Sequence, residues 1–149
     1  MSKAFRLQPL LDLSNLRLDE ATRQLGKLIA GEQEAAQRLE LLIQYRDEYH
    51  ARFLTVAGNG VGPQTWGNYR QFLERLDQAI EQARSMVVAS KQRTALGQKN
   101  WVEQQGKVKA FDTLAQRHQA RQVYAENRQE QRQSDEHGAR RHAAAGEDE

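Results

Sequence analysis

The chain contains no cysteine, which excludes a disulfide scaffold, a Cys-ligated zinc or iron–sulfur site and a thiol nucleophile. Proline is almost missing, with only Pro9 and Pro63 and none beyond the second. The stiff strand-forming residues are also scarce. Three Ile, seven Val and five Thr stand against nineteen Ala and nineteen Gln in 149 residues. Ala and straight-chain side chains lose little rotamer freedom in a helix, whereas sheets draw on the β-branched and aromatic types. A sheet-based domain is therefore excluded, and the chain is expected to be all-α. Hydrophobic residues reach only 38%, thin for a multilayered core. No long apolar run exists either. The stretch Phe5–Leu13 is interrupted by Arg6, Pro9 and Asp12, short of an uninterrupted signal core and far short of the roughly 20 residues a membrane span needs. These absences lead to the expectation of a cytoplasmic protein with no direct membrane insertion.

Charge is plentiful but unevenly placed. The formal net charge is +2, yet residues 1–57 and 58–90 are each balanced, residues 91–133 carry +5 and residues 134–149 carry −3. The basic excess belongs to one late stretch.

Apolar residues recur with the alternating three- and four-residue steps of a coiled coil. Leu11, Leu18, Leu25, Leu39 and Phe53 mark one series; Ala21, Leu28, Ala35, Leu42, Tyr49 and Val56 mark the other. Ser14, Glu32 and Arg46 interrupt them as polar breaks. Such a stripe requires a partner helix. The pattern stops at Ala57-Gly58-Asn59-Gly60-Val61-Gly62-Pro63 and resumes as Trp66, Tyr69, Leu73, Leu76, Ile80, Ala83 and Val87. It weakens through Ser90, Thr94 and Gly97, then returns at Trp101, Val108, Phe111 and Ala115.

So short a turn brings the second helix back antiparallel to the first, with paired positions adding to about 120. The expected architecture is a long antiparallel two-helix coiled coil, a helical hairpin, with a C-terminal single-helix overhang. The single coiled-coil domain spans residues 1–149, with helix one at about 9–57, a turn at 58–63, helix two at about 64–133 and a disordered tail at about 134–149. At ~1.5 Å per residue the helices extend roughly 70 Å and about 100 Å.

Chemistry-bearing patterns are sparse. Acidic and basic side chains alternate along the helix faces, as on a solvated surface. The histidines at 50, 118, 137 and 142 form no metal-binding i, i+4 pair. The glycines at 58, 60 and 62 follow a helix instead of a strand and lack the lysine of a phosphate-binding loop. No catalytic, cofactor-binding or metal site is expected, and no enzyme. One apolar excess does stand out. Phe72, Leu76, Ala79, Ala83 and Met86 form a stripe beside Tyr69, Leu73, Ile80 and Val87, an arc wider than a two-stranded seam buries. Either the Ile29/Ala36/Ile43 flank of helix one broadens the seam to cover it, or it is an exposed shoulder that docks another protein.

The run Trp66-x-Asn68-Tyr69-x-x-Phe72-x-x-x-Leu76-x-x-Ala79-Ile80-x-Gln82 resembles the FliJ family of flagellar type III export proteins. Leu42-Ile43-x-Tyr45-x-x-Glu48-Tyr49, Trp101, Ala125-Glu126-Asn127-Arg128 and the opening Phe5-x-Leu7-x-Pro9-Leu10-Leu11-x-Leu13 support it, so the likeness covers nearly the whole chain. The resemblance implies a coiled coil similar to the stalk of rotary ATPases. Such a protein binds the ring of the flagellar export ATPase, promotes its assembly and hydrolysis, and works beside the ATPase regulator FliH. It contacts the membrane export gate protein FlhA through the stripe matching Phe72, Leu76, Ala79 and Ala83, and it handles empty export chaperones. The implied location is the cytoplasmic face of the inner membrane at the flagellar base, with no cofactor. The competing reading is a nucleic-acid-associated or generic coiled-coil scaffold using the basic segment 91–133. Its Lys and Arg residues lie all round the helix, however, whereas phosphate contacts need them on one face, so no nucleic acid partner is expected.

Overall fold

In the computed structural model, which describes residues 4–147, two helices follow one another: α1 (Gln8–Ala57) and α2 (Pro63–Glu147). No strand occurs among the described residues. The helices pack against each other as a hairpin coiled coil, as the scarcity of strand formers and the apolar periodicity require.

The ends of the helices follow from local chemistry. The Gln8 amide donates to the Phe5 carbonyl at 3.1 Å, and the Gln8 side chain donates to Asp12 at 2.9 Å. Pro9 falls in the first turn, where its missing N–H is no loss. At the far end Gly58 N still donates to Leu54 O, but Asn59 and Gly60 donate one residue nearer, to Val56 and Ala57. That tightening ends the helix, and Gly60 leaves it at a φ of 89°, a left-handed conformation. Pro63 then supplies the first residue of α2. Gly60→Val should therefore cost about 1–2 kcal/mol, measured by urea unfolding. Gly62→Ala should be close to neutral, since a Cβ at Gly62 meets no atom within 4 Å and its φ is not left-handed.

The chain divides into two compact units, Asp19–Glu103 and the combination of Met1–Leu18 with Gln104–Glu149. Within Asp19–Glu103, α1 turns Ala21, Leu25, Leu28, Ala35, Leu39, Leu42, Tyr49 and Phe53 inward. From α2 come Tyr69, Leu73, Leu76, Ile80, Ala83, Val87 and Thr94. Cross-seam bonds fix the register. Arg46 pairs with Asp77 at 2.5 Å, Trp101 Nε1 donates to Thr22 Oγ1 at 2.9 Å, and the Thr94 hydroxyl lies 3.3 Å from the Leu28 carbonyl. Their positions add to 122 or 123, close to the antiparallel pairing expected from the turn. Gly97 permits a close approach, because a Cβ there would lie 2.6 Å from Leu28 Cδ1.

Nearest the turn, the seam is aromatic. The Phe53 and Tyr69 rings stack 3.6 Å apart, Tyr69 shares a hydrogen bond with His50 Nδ1, and Trp66 tilts against Phe53 at 5.4 Å. Two residues counted in the seam are pushed out of it. Val56 is 56% exposed and Trp66 49% exposed. One residue further along α1, Ala57 is half-buried in place of Val56. The Phe53–Tyr69 stack then occupies the centre and leaves Trp66 at the edge.

In the terminal unit, Leu11 and the polar Ser14 are buried, and the inner face of α2 continues at Val108, Phe111, Ala115 and His118. The Phe5 and His118 rings lie 5.5 Å apart. Burial ends at Gln122, and every residue from Val123 to Glu147 is exposed. That solitary stretch is nevertheless helical to Glu147, past the boundary near 133 and through most of the tail expected to be disordered. The expectation rested on burial, which residues 134–147 do lack. A helix already under way needs only local bonds, however, and no proline interrupts it. Gln131 donating to Asp135 at 3.1 Å adds a local i, i+4 link. Residues 148 and 149 lie outside the described residues.

Candidate partner-binding site

The stripe Phe72, Leu76, Ala79 and Ala83 lies on one face of α2, within Asp19–Glu103. Spacings of three and four residues also define the seam, so the two sets overlap. The structure divides the stripe accordingly. Leu76 is 8% and Ala83 4% exposed, both turned toward α1, while Phe72 and Ala79 are half-buried at the rim. Met86, the next residue on the stripe, is 47% exposed. The wide arc thus combines seam and shoulder. Its inner half is covered by α1, and its outer half presents an aromatic edge and a small residue.

Helix α1 positions Phe72. The Tyr49 ring tilts against it at 4.4 Å between centroids and also stacks on Tyr69 at 5.6 Å, so the Phe72 ring rests on a braced aromatic platform. Along the same seam, Arg46 reaches across to Asp77. The hydrogen bond and charge of Asp77 raise the guanidinium pKa above its ordinary value. Both side chains are well exposed, which makes the pair a marker of register more than a source of stability.

This unit has two depressions, one of which includes part of the stripe. One, of about 250 Å³, is lined by Ala35, Ala83 and Met86 together with Glu34, Arg38 and Arg93. Another, of about 450 Å³, lies on α1 alone, over Arg38, Leu41, Leu42 and Tyr45. Leu41 and Tyr45 are 65% and 55% exposed. Sequence reasoning placed the apolar shoulder on α2 and missed this surface of α1. The signal was present: Leu41 and Tyr45 stand four apart, one residue off the seam positions, and so share an outward face.

The Ile29/Ala36/Ile43 flank does not cover the stripe's outer half. Ile29 is 40% exposed, Ala36 is exposed and Ile43 half-buried. Among the described residues no cluster of three or more His, Asp or Glu could hold a metal ion, and no helix is long and apolar enough to cross a membrane. What this surface can do chemically is bind: a braced ring, a small neighbour and a hollow edged by both glutamate and arginine suit a protein partner.

The family model of the flagellar FliJ protein matches residues 2–147. A flagellar FliJ protein of Salmonella typhi is 37% identical over 140 residues, covering 94% of this chain and 95% of the relative. The flagellar FliJ protein of Escherichia coli (strain K12) is 31% identical over the same length and shares.

Proposed function

The chain belongs to the FliJ family of flagellar proteins, and on that premise we propose that it is a non-enzymatic coupling protein of the flagellar type III export apparatus. It acts by contact. The unit containing the turn meets the export gate protein FlhA through Phe72 and Ala79, with Leu76 and Ala83 holding them in place from the seam. The terminal unit engages the ring of the export ATPase, in company with the regulator FliH, and promotes ring assembly and hydrolysis. Handling of empty export chaperones belongs to the same role. A hairpin that binds one state of the ring better than another shifts the population of that state, and no bond chemistry of its own is needed.

The observation that supports the gate contact most is the half-buried Phe72 ring braced on Tyr49 at 4.4 Å. A rigid aromatic anchor loses little entropy on binding and is the kind of residue on which interfaces concentrate their affinity. Phe72→Ala combined with Ala79→Asp should weaken binding to the purified cytoplasmic part of the gate by about tenfold or more. Titration calorimetry measures this, and circular dichroism should show helicity nearly unchanged. Undiminished affinity would remove the stripe from the gate interface.

A further inference from the structure

The terminal unit carries a cavity that neither the gate contact nor the coiled-coil seam explains. Residues Ala4–Leu7, which precede α1, lie against one face of α2 and border with it an open hollow of about 600 Å³. On α2 the lining residues Leu114, Arg117, His118 and Arg121 follow i, i+3, i+4, i+7 spacing and so share that face. The short segment is fixed in place by backbone bonds, Gln8 N to Phe5 O at 3.1 Å and Leu11 N to Leu7 O at 3.0 Å. The Phe5 ring lies 5.5 Å from that of His118.

The lining has two chemistries. Phe5, Leu7 and Leu114 supply an apolar floor, with Leu114 still 41% exposed. Arg6, Arg117 and Arg121 supply three guanidinium groups, and no carboxylate lines the cavity. None of the three forms an ion pair or hydrogen bond among the described residues. Three arginines thus line one cavity together with an apolar surface and no acid.

We propose that this cavity is a docking site for an acidic peptide segment of a partner protein, one that places a Leu- or Phe-sized side chain on the floor and carboxylates on the arginines. The charge complementarity is direct, since guanidinium forks match carboxylates in bidentate geometry. The apolar floor distinguishes a peptide from a small anion. Inorganic phosphate or a nucleotide triphosphate would satisfy the arginines but leave Phe5, Leu7 and Leu114 wet, whereas an acidic-aliphatic segment covers both halves. The site belongs to the other compact unit, and its test requires neither the gate nor the ATPase.

The test uses the full chain and a fluorescein-labelled peptide of alternating Glu and Leu, followed by anisotropy. The peptide should bind saturably and weaken as salt rises, and R117Q/R121Q should reduce its affinity about tenfold or more. A Gln-for-Glu peptide should bind at least about tenfold less well. Leu114→Ser, which keeps every arginine, should also weaken binding, because the floor is part of the site. Circular dichroism of each variant should match the parent, as all three side chains are exposed. Equal binding of the Gln peptide, an unaltered affinity in R117Q/R121Q, or full displacement by ATP or a single-stranded oligonucleotide at lower concentration than by unlabelled peptide would each overturn the proposal.

Discussion

Replacing Phe53 by Ala should lower the unfolding free energy by about 3 kcal/mol or more, the largest stability loss of any single substitution in the hairpin. Phe53 is 9% exposed and its ring is enclosed by Tyr69 at 3.6 Å and Trp66 at 5.4 Å. Truncation leaves a void that two helices joined by one turn fill poorly, and it removes aromatic pairs worth about 0.5–1.5 kcal/mol each beyond area burial. The neighbouring Leu54, 58% exposed, provides the contrast: Leu54→Ala should change stability by less than about 0.5 kcal/mol. Urea unfolding followed by circular dichroism compares the two. Equal, small effects would mean that the aromatic cluster does not hold the turn end together.

The stripe on α2 should separate into two kinds of residue when each member is truncated. Leu76→Ala should cost about 2–3 kcal/mol of stability, because the side chain is 8% exposed and packs in the seam. Phe72→Ala should cost nearer 1 kcal/mol, the Tyr49 contact plus a partial loss of burial. Their effects on gate binding should run in the opposite order. On the proposed gate contact, Phe72→Ala removes the anchor itself, whereas Leu76→Ala acts by loosening the helix that presents it, so an osmolyte should restore much of the binding lost in Leu76→Ala and none of that lost in Phe72→Ala. Measuring unfolding and gate affinity on the same two preparations reads both. Identical behaviour of the two variants would collapse the distinction between seam and shoulder.

How far the sequence reveals these features depends on whether each is periodic. Away from the turn, where Val56 and Trp66 leave it, the seam could be read from the sequence, because its buried positions repeat every three and four residues and one short glycine-rich turn sets the register. The Arg46–Asp77 and Trp101–Thr22 bonds fall within a few positions of the expected pairing. The division of the Phe72–Ala83 stripe was not legible. Angular arithmetic describes one helix, and which part of a wide arc is covered depends on where the partner helix lies. The helical course of α2 beyond 133 leaves no apolar pattern for a related reason. The lack of apolar residues after Tyr124 correctly implies no burial, but a continuing helix relies on its own backbone bonds. The Arg6/Arg117/Arg121 cavity had no sequence signal, since it brings an irregular pre-helical segment against residues more than a hundred positions away.

The claim that this hairpin works by contact on an ATPase ring is tested most directly by adding the full-length chain to its cognate flagellar export ATPase. Ring assembly, by sedimentation or light scattering, and ATP turnover should be followed together. Both should rise with the concentration of the chain and saturate. A chain that changes neither assembly nor turnover, while remaining helical in the same buffer, would contradict the coupling role.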